Sequence, residues 1–225
     1  MDVWSTALEQ LLPRGVAVVS CRGDVDPAVV WASERAAIAQ AVPSRQSEYL
    51  TVRHCARRAL EALGVAPVAI PTGRQRGPVW PDGVVGSLTH CRDYRAAAVA
   101  RRGDLVGVGI DAEVRARLPL GSERVVTNRL ERDRLALLDK LHPEVPWGTL
   151  LFSAKESIFK AWYPLTGVWL EFDDCDLELH PDATFRGTIA AAKRSAALGA
   201  PSVITGRWSV NVELLFTAAW IPSVS

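Results

Sequence analysis

Lysine is scarce in this chain of 225 residues: Lys140, Lys155, Lys160 and Lys193 stand against twenty-two arginines. Net charge is nearly absent too, at +1, so no global field draws the protein to nucleic acid or to an anionic membrane, and neither is expected as a partner. No segment approaches the roughly 20 consecutive apolar residues a membrane helix needs. The opening MDVWSTALEQ has no basic segment followed by an apolar run, so no secretory signal is expected. Cysteine is limited to Cys21, Cys55, Cys91 and Cys175, widely spaced and without a CxxC pair. That excludes a zinc ribbon and points to free thiols in a reducing cytoplasm. The neighbours His54 and Cys55, like His90 and Cys91, do not form metal pairs, because adjacent side chains diverge on helix and strand alike.

What is present, 48% hydrophobic and 23% charged residues, is enough for a sizeable core in one large domain or two small ones. Residues 16–19 read as a short buried strand and residues 27–42 as a helix ended by Pro43. Ser44 is placed to cap a second helix that Gly64 stops, with Arg45, Arg53, Arg57 and Arg58 on its solvated face. Residues 71–83, with three prolines and three glycines, form a loop. Three strand-like runs follow at 84–89, 94–100 and 105–111, and their short connections predict an antiparallel meander. The first and third would then run the same way, placing His90 and Asp111 at one end of the sheet, about 10 Å apart. Residues 114–141 are arginine-rich and partly helical, 151–163 form a helix stopped by Pro164, and the chain closes in a hairpin turning at Asn211. Helices accompanied by short-loop strands in each half predict an α+β fold of two similar lobes, each an antiparallel sheet packed with helices, divided as 1–106 and 107–225.

Two stretches carry chemistry. In residues 151–162, LFSAKESIFKAW, a helical period puts Phe152, Glu156, Phe159 and Tyr163 on one stripe, with Ser153 and Ser157 facing away. Glu156 therefore sits in an apolar face, flanked by Lys155 and Lys160, and needs a cation, either an ammonium or a metal. The other stretch, GVGIDAE at 107–113, lacks the continuation of a dinucleotide fingerprint. On a strand, Asp111 and Glu113 share a face, where like charges repel unless a cation lies between them. Such a pair is either a solvated strand end or a metal site.

Together with Gly86-Ser-Leu-Thr-His90, these stretches resemble the signatures of the 4′-phosphopantetheinyl transferases: a Gly-Ile/Val-Asp-x-Glu strand and a Trp/Phe-Ser/Cys-x-Lys-Glu-Ala/Ser-x-x-Lys helix. The upstream elements are similar to the long, two-lobed branch that includes siderophore-synthesis and actinobacterial enzymes. The resemblance implies transfer of the phosphopantetheine arm of coenzyme A to a serine of an apo acyl or peptidyl carrier protein, with release of adenosine 3′,5′-bisphosphate. It implies a Mg²⁺ site (or Mn²⁺) at Asp111, Glu113 and Glu156, with water in place of a ligand at Ala112. Lys155 and Lys160 would contact the diphosphate, and Glu156 would hold the metal, accept the serine proton, or both. Arg45, Arg53 and His90 would hold phosphates of coenzyme A, Ser87 and Thr89 would lie beside the nucleotide, and Arg74 and Arg76 near adenine. Carrier proteins are acidic, making Arg115, Arg117, Arg124, Arg129 and Arg132 candidates for docking. A cytoplasmic monomer is expected by the same analogy. A metal-dependent phosphohydrolase and an inert coenzyme A-binding protein are the alternatives.

Overall fold

The computed structural model describes residues 7–26, 29–73, 76–196 and 199–223. Strand β1 (Ala17–Arg22) is followed by helices α1 (Ala32–Ile38) and α2 (Pro43–Ala62) and strands β2 (Val84–Cys91), β3 (Tyr94–Arg101) and β4 (Leu105–Val114). Helices α3 (Glu123–Val126), α4 (Arg129–Leu141) and α5 (Trp147–Thr166) come next. Strands β5 (Cys175–Leu179) and β6 (Thr184–Ile189), helix α6 (Ala191–Ala196), and strands β7 (Val203–Val210) and β8 (Leu214–Pro222) complete the chain. No helix among the described residues is long and apolar enough to cross a membrane.

The α+β reading with two antiparallel sheets holds, with one sheet in the order β1-β3-β2 and the other β4-β8-β7-β6-β5. The meander does not. Both edges of β3 are taken by β1 and β2, so β4 passes to the free side of β2 and heads the second sheet. It runs alongside β2 in the same direction, but side-chain hydroxyls replace the ladder: Ile110 N–H donates to Ser87 Oγ at 3.0 Å and Ala112 N–H to Thr89 Oγ1 at 3.0 Å. His90 and Asp111 thus leave one end of the fold, as the direction of the strands required, with no strand between them. A core containing Leu8, Val85, Tyr94, Ile110, Ala112 and Phe216 joins the two sheets. Ala112 is therefore turned into that core, away from the faces of Asp111 and Glu113.

Local chemistry explains the element ends. Pro43, with its fixed φ, opens α2 at the first helical position, so Val42 rather than Ser44 is the cap residue. Gly64, at φ 73°, ends it in the left-handed conformation. Helix α1 is shorter than the sequence reading, and Pro27 lies outside the described residues. Strand β1 is half-buried rather than buried, since it is an edge. Helix α5 begins four residues earlier than expected and runs through Pro164: in the last turn a missing N–H forfeits a single helical bond, and Gly167 at φ 66° supplies the stop. The closing hairpin turns at Asn211, whose Oδ1 accepts the N–H groups of Glu213 and Leu214.

The arginine face of α2 divides. Arg53 and Arg57 are buried, not solvated. Arg57 pairs with the buried Glu34, whose other oxygen accepts Ile70 N–H at 3.1 Å. This ties α1 and the chain after α2 to the helix.

Candidate active site

The site exists because α5 lies on β4 at backbone contact. A Cβ on Gly109 would stand 1.8 Å from the carbonyl oxygen of Ser157, and one on Gly107 2.5 Å from that of Ala161. No larger residue fits at either position. The buried side of α5 is therefore its small-residue side, with Ser153, Ala154, Ser157 and Ala161 all at 0% exposure. The sequence reading had the serines facing away; the glycine-bearing strand is what covers them. With that face fixed, Glu156, Phe159 and Tyr163 line the opening between the sheets, and Lys160 turns to β4.

Asp111 is at the centre and only 4% exposed. Its Oδ1 accepts from Lys160 Nζ at 2.6 Å and Thr89 Oγ1 at 3.2 Å, and its Oδ2 from Ser153 Oγ at 2.8 Å. Burial, then the Asp111 charge and more weakly that of Glu156, push the Glu113 carboxyl up to about 7, against the pull of Lys160. Burial also raises Glu156, again opposed by Lys160 and reinforced by Asp111. The ammonium that both glutamates feel sits on Asp111, so the i,i+4 partner of Glu156 is engaged elsewhere. An all-oxygen donor set of mutually repelling carboxylates fits a hard divalent cation by its chemistry. In the side-chain positions present, no three such groups among the described residues are arranged to hold one.

Beside the carboxylates opens a cleft of about 230 Å³, lined by Arg45, Arg53, Arg76, His90, Glu156 and Lys160 among others. Arg45 Nη1 donates to His90 Nε2 at 2.8 Å, while burial, opposed by Glu48 and helped by the charges of Arg45 and Lys160, holds His90 below its ordinary value. The Arg53 guanidinium lies 3.8 Å from the centre of the Tyr49 ring, with Nε directed at the Ile70 carbonyl at 3.4 Å. Arg74 lies outside the described residues.

One candidate, Lys155, does not stand where the sequence put it. Lys155 is on the far side of α5, 5% exposed, its three donors taken by Val126 O at 3.0 Å, Glu131 Oε2 at 2.9 Å and Phe172 O at 2.7 Å. Five positions before Lys160, it is rotated onto a different face. The Ser87 and Thr89 hydroxyl oxygens accept N–H groups of β4 and so join the sheets, while Ser87 also lines the cleft. The sequence reading missed Glu131, Thr217 and the role of Ser153. Glu131 caps α4 through Asn128 and also accepts Leu177 N–H at 2.8 Å. The capping pattern was legible; the ion pair was not.

Comparison with known proteins identifies the family. Residues 33–100 match the 4′-phosphopantetheinyl transferase N-terminal domain and residues 107–209 the 4′-phosphopantetheinyl transferase superfamily. The chain belongs to that superfamily and is a transferase. It is 47% identical to the 4′-phosphopantetheinyl transferase Svp of Streptomyces mobaraensis over 195 residues, 86% of this chain and 79% of the relative. PptT of Mycobacterium tuberculosis is 42% identical over 80% of this chain and 81% of its own. Npt of Nocardia iowensis is 38% identical over 94% of this chain and 98% of its own.

Proposed function

We propose that this protein transfers the 4′-phosphopantetheine of coenzyme A to a serine hydroxyl of an apo acyl or peptidyl carrier protein, releasing adenosine 3′,5′-bisphosphate. The observation that carries this reading is the meeting, where one end of β2 and of β4 faces the middle of α5, of a basic cleft with the carboxylates of Asp111, Glu113 and Glu156. Arg45, with His90 beside it, and Arg53 suit the terminal and nucleotide phosphates, since a guanidinium donates two bonds to one phosphate. Lys160 spans cleft and carboxylates and is placed for the diphosphate, where an ammonium offsets charge on the leaving group. Mg²⁺, or Mn²⁺ in its place, would be held by Asp111, Glu113 and Glu156 and would supply charge neutralisation on the diphosphate. Glu156, raised by its surroundings, is suited to take the serine proton directly or through water. Lys155 is assigned to holding the fold, against the expectation from the signature.

The lobes 1–106 and 107–225 divide this work, the first offering Arg45, Arg53 and His90 and the second the carboxylates with Lys160. From Glu113 a groove of about 580 Å³ runs past Leu118, Val125 and Phe152. Beside it, Leu120 is fully exposed, and Arg117 and Arg124 are exposed as well. This mixed basic and apolar rim suits an acidic helix carrying the acceptor serine. Arg115 and Arg132 are committed to backbone carbonyls, which leaves Arg117, Arg124 and Arg129 as the docking candidates. The proposed setting is a monomer in the cytoplasm. Incubation with coenzyme A, Mg²⁺ and apo carrier protein should add one phosphopantetheine to the carrier by intact-mass spectrometry. No added mass on several carriers would overturn the reading, and free phosphopantetheine formed without a carrier would instead indicate a hydrolase.

A further inference from the structure

Ser153 takes no part in the chemistry described above, yet its hydroxyl is directed at the central carboxylate. A serine inside a helix commonly bonds back to its own preceding turn, as Ser157 does here to Ala154 O at 3.0 Å. Ser153 instead donates to Asp111 Oδ2 at 2.8 Å. Behind it stands Thr217 of β8, the cross-strand neighbour of Asp111, with Oγ1 2.9 Å from Ser153 Oγ and also 2.9 Å from the Ser153 carbonyl. Both side chains are at 0% exposure, so no solvent competes for these bonds. On the other side, Thr89 is fixed by Ala112 N–H and donates to Oδ1. Hydroxyls from β2, α5 and β8 thus meet around one carboxylate.

We infer that Ser153, oriented by Thr217, is a positioning residue that fixes the plane of the Asp111 carboxylate against Lys160. The inference rests on the proposal that Asp111 helps to hold a divalent cation. Rotation about the last torsion of an aspartate is soft. Lys160, 2.6 Å from Oδ1, would draw both oxygens toward itself if Oδ2 were untethered. Ser153 opposes that rotation and keeps one oxygen turned from the ammonium. Groups that orient a ligand in this way commonly alter cation affinity by 10–100-fold.

The test is Mn²⁺ titration of the free full-length protein by electron paramagnetic resonance, with melting temperature and the KM for coenzyme A measured alongside. Ser153→Ala should weaken Mn²⁺ binding by about tenfold or more, with the KM for coenzyme A little changed. Thr217→Val should act in the same direction, and Thr217→Ser, which keeps the hydroxyl, should restore binding. A purely structural role would lower the melting temperature and leave Mn²⁺ affinity of the folded protein at the wild-type value, overturning the inference. If Ser153→Ala does not fold, the Thr217→Val and Thr217→Ser pair decides by the same criterion. Wild-type protein that transfers phosphopantetheine but binds no Mn²⁺ would remove the cation reading, and this inference with it.

Discussion

Replacing Lys155 with methionine separates two roles that the signature helix leaves open. In the structure, the ammonium is buried at 5% exposure against Glu131, itself at 0%, and its remaining donors hold the carbonyls of Val126 and Phe172. Methionine keeps most of the stem but strands the carboxylate and both carbonyls. Removing one partner of a buried ion pair costs about 3–5 kcal/mol. For a protein of this size each kcal/mol corresponds to roughly 2–4 °C of melting temperature, so Lys155→Met should melt about 6–20 °C below wild type. Glu131→Gln added to it should recover part of the loss, because the two charges then leave together. Thermal unfolding followed by circular dichroism measures the shift, and calorimetry measures coenzyme A affinity of the folded variant, expected near wild type. The reasoning fails if Lys155→Met melts within about 2 °C of wild type and loses coenzyme A binding; the ammonium would then be serving the diphosphate.

Gly109→Ala should force α5 off β4, because the added Cβ meets backbone rather than a movable side chain. A loss of about 1–3 kcal/mol and of nearly all transferase activity is expected, read by chemical denaturation and carrier mass. Glu156→Gln should abolish transfer while leaving the melting temperature within a few degrees of wild type, since its carboxylate is already raised by its surroundings; normal turnover would remove both roles assigned to it. Glu113 sets a pH dependence: its folded value is about 7 against an ordinary 4.5, so the folded state holds the proton more tightly. Cation-free protein should therefore lose stability as pH rises through that window, with the loss complete above about 7. Glu113→Gln should flatten the curve, and a curve unchanged in that variant would assign the dependence elsewhere.

Much of this site was legible because its signals are local. Gly107 and Gly109, the Asp111 and Glu113 alternation, and the spacing of Glu156 and Lys160 are short-range patterns, and the resemblance to the transferases rests on them. Arg45, Arg53 and His90 were likewise found, and they line the same cleft. Composition does not distinguish Arg117, paired with Asp139 at the surface, from Arg115, tied to the carbonyls of Asn211 and Glu144.

The sequence by itself determined the family and the two-sheet α+β class, and it picked out Asp111, Glu113, Glu156 and Lys160 as candidates, because these follow from residue type and spacing within single elements. Only the tertiary structure decided which neighbour each face meets. A helical wheel gives the angles of Ser153, Lys155 and Glu156 but does not say which angle a second element covers. That depended on the two glycines of β4, which admit the helix backbone and thereby bury the serines, send Lys155 to Glu131 and open Glu156 to the cleft. The lateral order of the strands was equally non-local. β4 pairs with β8 and lies beside β2 because β3 had no free edge left.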